Sequence, residues 1–316
     1  MQGKPAPVIK GKTKVSVTTL MASMAVDLVK AMNAECLVVL DAYFAVGPVF
    51  LVLKDLTDTA GKQLAHLVTK AKSNAVAYED PPVKTGGRGA PKKYGKKIKL
   101  AHLFKERQND FQETTLEIYR EQKTVFFLCL DLIWKPTKEK VRFVMVTDGG
   151  ENFILMSSDL RLLPEDIIKA YSYRFKIEVN FKVLKRMIGA FYYHFWTMAW
   201  PKIGKLNEVD LSSLKDPRSK RLITEAIGAI EGFVNFGCIA TGILQILSLN
   251  HHREIWGKYR GWLRTVTSSI PSEETVKSVV QEEFFHNFRI FKHTAIYRII
   301  MSKSKKTQDI QLPMAA

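Results

Sequence analysis

Tyr171, Arg174, Glu178 and Lys185 stand at offsets of zero, three, seven and fourteen residues within the stretch YSYRFKIEVNFKVLK. On a helix turning about 100° per residue, the last three fall within about 60° of Tyr171, so four chemically distinct side chains share one stripe. Two readings of that stripe are open. It is either a solvated face with an ordinary i, i+4 pair between Arg174 and Glu178, or an acid flanked by cations. The second suits an anionic substrate bound through a metal, because carboxylates hold hard cations such as Mg²⁺ whose remaining positions water and phosphate can fill. A second acid, Asp41, follows the apolar run LVVL. It either ends a strand by starting a turn or presents a carboxylate at the strand's C-terminal end.

The elements that must position these residues are legible from pattern. Residues 13–33 lack Pro and Gly and are rich in Met, Ala, Leu and Val, which predicts a helix. LVVL reads as a short buried strand, Gly47-Pro48 as a turn, and residues 64–71 as a second strand. Residues 81–99, PPVKTGGRGAPKKYGKKIK, contain seven Lys and Arg and no acid, which predicts an exposed basic loop. The runs TVFFLCLDLIW, KVRFVMVTD and NFILMSS predict an antiparallel β module. Pro164 with Glu165 and Asp166 suits a first helical turn, and that helix is expected to continue to about Met187. Beyond Pro201 the pattern is helical, with segments at 218–250, from His251, and from Pro271.

Charge narrows the partner. The 316 residues carry 48 Lys and Arg against 31 Asp and Glu, a net charge of +17. Such an excess favours a polyanion, with nucleic acid first and an acidic membrane surface second. Cys36, Cys129 and Cys238 form no pairing framework and read as reduced core thiols. The apolar run over residues 226–249 approaches membrane-span length but holds Glu231 and Asn235, so it is read as a buried helix without a membrane role.

Y-x2-R-x3-E-x6-K, together with LVVLDAYFA, GRGAPKKYGKKIKL and MSSDLRLLPEDIIKAYSYRFKIEVNFKVLK, resembles the bacterial insertion-sequence transposases. The resemblance spans roughly residues 34–290 and implies an RNase H-like fold with a DDE carboxylate triad. It implies an α/β chain: a partial RNase H-like core over 1–80, a basic loop and β-rich insertion over 81–160, a core helix with the catalytic Glu over 161–205, and a helical C-terminal region over 206–316. Carried over by position, Asp41 is the second acid and Glu178 the third, both metal ligands. Arg174 and Lys185 hold phosphates of the transposon end, and Tyr171 lines the cleavage site. The implied cofactor is Mg²⁺, which Mn²⁺ can replace, and two such ions activate water or a DNA 3′-OH for in-line attack. The implied partners are terminal inverted repeats and target DNA, with a homodimer on the DNA ends and no membrane, in the nucleoid-associated cytoplasm of a bacterium.

One departure qualifies the activity. The family's first Asp lies on a strand upstream of the second, whereas the sole Asp before Asp41 here is Asp27, inside the expected helix. An N-terminally truncated transposase with little strand cleavage is therefore expected. The alternatives are a catalytically inactive DNA-binding remnant and a structure-specific nuclease on the same fold. Arg88 resembles a minor-groove hook but fits a general phosphate contact better, alongside Lys92, Lys93, Lys96 and Lys97. Asp131, Asp148 and Asp159 read as turn or edge acids, His194 as a packed core histidine, and His251-His252 lack further ligands at metal spacing.

Overall fold

The computed structural model describes residues 16–83, 90–119, 121–200, 214–263, 268–295, 297–299 and 301–302. Two compact units emerge among the described residues, one up to Glu178 and one from Val179 on.

The first unit begins with α1 (Val17–Met32), whose N-cap Ser16 accepts the Thr19 N–H, and whose last turn closes at Asn33 in the left-handed conformation. β1 (Cys36–Leu40) follows, then a short 3₁₀ turn and α2 (Gly47–Lys54). Gly47-Pro48, expected as a turn, instead opens this helix. Proline suits a first turn, and a Cβ on Gly47 would lie 2.8 Å from the Pro136 Cβ. β2 (Ala65–Lys70), β3 (Val76–Tyr78), β4 (Lys97–Lys99), the one-turn α3 (Leu103–Glu106), β5 (Gln112–Ile118), β6 (Glu121–Trp134), β7 (Glu139–Asp148) and β8 (Glu151–Ser157) complete a mixed eight-stranded sheet.

Its order is β1-β2-β8-β7-β6-β3-β4, with β5 also on β6. Only β1 and β2 run parallel, with Val38 opposite Leu67. β8 joins β2 antiparallel through Val68 and Ser157. Alternation along the strands separates two cores. Leu67, Phe143, Met145 and Met156 pack with α1 and α2, while Val68, Val144, Val146 and Leu155 pack with Ile167 and Ile168 of α4 (Pro164–Tyr173). The sheet is thus covered by helices on both faces, and α4 reaches β1, β2, β5 and β8.

After α4 the expected single helix is interrupted. Arg174 and Phe175 form a tight turn, α5 (Lys176–Lys182) follows, and Val183–Ile188 is π-helical, ending at Gly189 with φ 75°. The second unit then contains α6 (Pro217–Asn250), capped by Asp216, α7 (His252–Lys258), and α8 (Glu273–His286), capped by Ser272. Leu244, Ile255, Val276 and Val279 form its core.

Burial in this unit corrects three expectations. α6 is long and apolar enough to cross a membrane, yet only 22% of its most apolar window is buried, and Phe236 is 73% exposed. Its apolar residues run around the whole cylinder, whereas α7 and α8 cover one side. Cys238 lies exposed on that helix instead of in a core, and His194 is exposed in a segment without regular structure.

Candidate functional site

Asp41 stands where β1 ends. Its carboxylate accepts the Tyr43 N–H at 2.8 Å, which caps the 3₁₀ turn, and its carbonyl accepts the hydroxyl of buried Thr69 on β2 at 2.7 Å. The second bond fixes the strand end to its parallel neighbour. Both roles fit a turn-forming aspartate, and neither uses the second carboxylate oxygen.

α4 brings the other candidates to this end of the sheet. Tyr171 packs, half-buried, against the core that contains Val68, Ile167 and Ile168. The Arg174 guanidinium donates to Glu178 Oε1 at 2.8 Å and lies 5.9 Å from the Tyr171 ring centroid. Burial raises the Tyr171 hydroxyl above its ordinary pKa, with the charges of Asp41 and Glu178 adding and Arg174 opposing. Arg174 is raised first by its bond to Glu178, and the Asp41 charge contributes in the same direction. The Asp41 charge thus reaches both Tyr171 and Arg174, and Arg174 bonds Glu178, which stands 137 positions (178 − 41) after Asp41.

The stripe is shorter than its spacing predicts. Ile177 N–H bonds the Arg174 carbonyl at 3.1 Å, and Glu178 N–H bonds that of Phe175 at 3.0 Å, so the chain tightens to i−3 bonding between Arg174 and Glu178. Lys185 lies on the π-helical stretch of the second unit, where wider turns break the α-helical phase. A uniform helical wheel from Tyr171 to Lys185 is thereby corrected.

Of the basic segment, residues 81–83 and 90–96 are irregular and mostly exposed, as expected of a loop, and only Lys97–Lys99 form a strand. Lys97 belongs to β4, opposite Tyr78 of β3, and Tyr94 packs on Tyr78 with ring centroids 5.1 Å apart. Gly95 donates to the Glu79 carbonyl at 2.9 Å, and a Cβ there would sit 2.2 Å from the Asp80 carbonyl oxygen. Lys92, Lys93, Lys96 and Lys97 are all exposed, while Arg88 lies outside the described residues.

Of the other acids, Asp131 accepts two bonds from Arg142 at 2.8 Å, and Asp148 lies 3.9 Å from Lys123. Asp159 belongs to a cluster with Glu35 and His66 that the sequence does not announce, since its members lie on three separate elements. Also unannounced is a groove lined by Glu117, Tyr119, Lys169, Tyr173 and Lys176. Tyr119 reaches it through a left-handed turn (φ 56°) and donates to the Ser172 carbonyl, and Lys176 sits 4.4 Å over the Tyr173 ring. Tyrosine and lysine in one groove could take a base or a phosphate.

No family model matches the chain, and no curated protein matches it.

Proposed function

We propose that the chain is a DDE-type transposase of the insertion-sequence class by descent, acting chiefly as a DNA-binding protein. The first unit then corresponds to part of an RNase H-like core, with the antiparallel strands between β2 and α4 as its insertion. What supports this reading is that the charge of Asp41, at the end of an apolar strand, is felt by Tyr171 and by Arg174, which in turn bonds Glu178. The +17 charge and the exposed Lys92, Lys93, Lys96 and Lys97 support a polyanionic partner.

Taken together as ligands, Asp41 and Glu178 would suit one Mg²⁺ better than two. Asp41 has one carboxylate oxygen beyond its capping bond, and Glu178 has one beyond Arg174. Two carboxylates with water and phosphate are a normal Mg²⁺ set, whereas a two-metal centre asks for more. Asp41 and Glu178 would hold the ion, which when bound polarises a phosphoryl oxygen. Arg174 is placed to exchange its bond to Glu178 for a phosphate oxygen, for which its planar donor fork is suited. Tyr171, held by packing, supplies a wall and a hydroxyl donor beside it. By the resemblance Lys185 is a further phosphate contact. A third acid would have to come from a strand on the outer edge of β1, which no described residue occupies. Strand cleavage by this chain alone is therefore expected to be negligible.

The test pairs a gel-shift titration across salt with a Mg²⁺ or Mn²⁺ cleavage assay on DNA carrying candidate terminal repeats. Expected are steeply salt-dependent binding, little change in binding on Glu178→Ala, and at most trace cleavage. Absence of DNA binding at low salt would overturn the family reading. Robust cleavage abolished by Glu178→Ala would instead overturn the impaired-enzyme part.

A further inference from the structure

At the opposite end of the β1–β2 pair, Glu35, His66 and Asp159 offer one ligand atom each, all within 4.8 Å of one another. Glu35 precedes β1, His66 lies on β2, and Asp159 follows β8. Six positions (41 − 35) along an extended chain put Glu35 roughly 20 Å from Asp41 at about 3.3 Å per residue, so this is a separate place. We propose that these three residues form a binding site for a divalent transition metal, Zn²⁺ foremost, with the Arg161 guanidinium as a competing occupant.

The first observation is convergence on a single nitrogen. Arg161 Nη2 lies 2.6 Å from Glu35 Oε1, 3.0 Å from Asp159 Oδ2 and 3.3 Å from His66 Nε2. One cationic atom is thus met by all three candidate ligands. A Zn²⁺ ion at that point needs bonds of about 2.0–2.2 Å, a modest contraction of the same cluster. The Arg161 side chain is 63% exposed, so solvent is open to it when it leaves. Lys62 pairs with the other Glu35 oxygen at 2.5 Å and leaves Oε1 for the ion.

A second, independent observation concerns the histidine. The His66 side chain is only 9% exposed, and its Nδ1 is buried without a hydrogen-bond partner. That nitrogen lies 4.0 Å from Asp159 Oδ2, too far for a hydrogen bond. With Arg161 in place, the ring's bonding is therefore incomplete. A metal taken through Nε2 would fix the ring's proton on Nδ1, where an outer acceptor usually completes a ligating histidine.

The donor set decides the ion. One imidazole with two carboxylates suits Zn²⁺, Co²⁺ or Mn²⁺, whereas Mg²⁺ and Ca²⁺ prefer oxygen alone. The proposal is independent of the DNA reading.

Co²⁺ serves as the probe on the full chain, with visible d–d absorption as the readout and Zn²⁺ as competitor. One Co²⁺ per chain is expected, displaced by Zn²⁺ and not by Mg²⁺. Arg161→Ala is expected to bind Co²⁺ at least tenfold more tightly, because the competing cation is gone. Glu35→Gln is expected to weaken binding at least tenfold. Because His66 is buried and its replacement can unfold the chain, the exposed Glu35 and Arg161 variants carry the test. An ion-pair cluster with no metal role gives no d–d bands in either the natural chain or Arg161→Ala, and that result overturns the proposal. Bands that persist unchanged in Glu35→Gln overturn it equally.

Discussion

The sheet ends in two different ways. Beside β5, β4 closes one edge with the sequence Lys-Ile-Lys, its lysines exposed and its isoleucine turned to the core. β1 closes the other with Cys-Leu-Val-Val-Leu, without a charge, and Leu37 is 38% exposed. Lysine on an edge strand is a standard defence against further pairing, and β1 has none. The helix layer shares the asymmetry, since α1 buries Ala22 and Val29 while Leu20, Met24 and Leu28 are more than half exposed on its far side. Among the described residues, one end of the unit is thus finished for water and the other is left open to association.

The largest effect expected in the sheet lies at neither edge. Phe143 on central β7 is fully buried, and Phe143→Ala should cost about 3–5 kcal/mol in denaturant unfolding, against which both edges are judged. At the β4 end, replacing Lys92, Lys93, Lys96 and Lys97 by Ala should lower the slope of log affinity against log salt by up to about four, measured by gel shift. If the slope is unchanged, those lysines guard the edge and do not contact DNA. At the β1 end, Leu37→Lys should reduce concentration-dependent association in sedimentation velocity while changing stability by no more than about 0.5 kcal/mol. Unaltered association would show that the β1 edge is covered after all.

The smallest effect concerns acid. Bonds from Lys62 and then Arg161 hold Glu35, just before β1, at a pKa of about 2 against an ordinary 4.5. A depressed carboxylate stabilises above its unfolded pKa and loses that contribution as pH falls through the folded one. A slight fall in melting temperature between about pH 4.5 and 2 is therefore expected, smaller in Glu35→Gln. An equal fall in both proteins would remove Glu35 from the cause.

Strands built from β-branched runs were legible because burial on both faces demands continuous apolar sequence. β1, β2, β6, β7 and β8 all fall within a few residues of their expected places. β3 (Val-Ala-Tyr) and β4 (Lys-Ile-Lys) were not, since three residues are too few to carry a periodic signal, and partner strands create them. That β1 would pack beside α4 was legible only through the resemblance. The tightening at Arg174 and the π turn were not, because residues such as Phe175 and Leu184 suit an unbroken helix equally well. Nor was the exposure of α6, since apolar sequence states a need for cover but not what supplies it. Glu35, His66 and Asp159 escaped for a plainer reason: each is unremarkable among its own neighbours.

β2 is held on one side by β1, close behind it in the chain, and on the other by β8, with Val68 opposite Ser157. Those two residues stand 89 positions apart (157 − 68) in sequence. At a synthesis rate of roughly 5–20 residues per second, β2 waits about 4–18 s on the ribosome before its second neighbour exists. Throughout that interval Leu67 and Val68 sit on a strand with one bare edge, so a slowed ribosome on the β3–β7 stretch should raise the aggregated fraction of newly made chain, whereas the same pause after β8 should not.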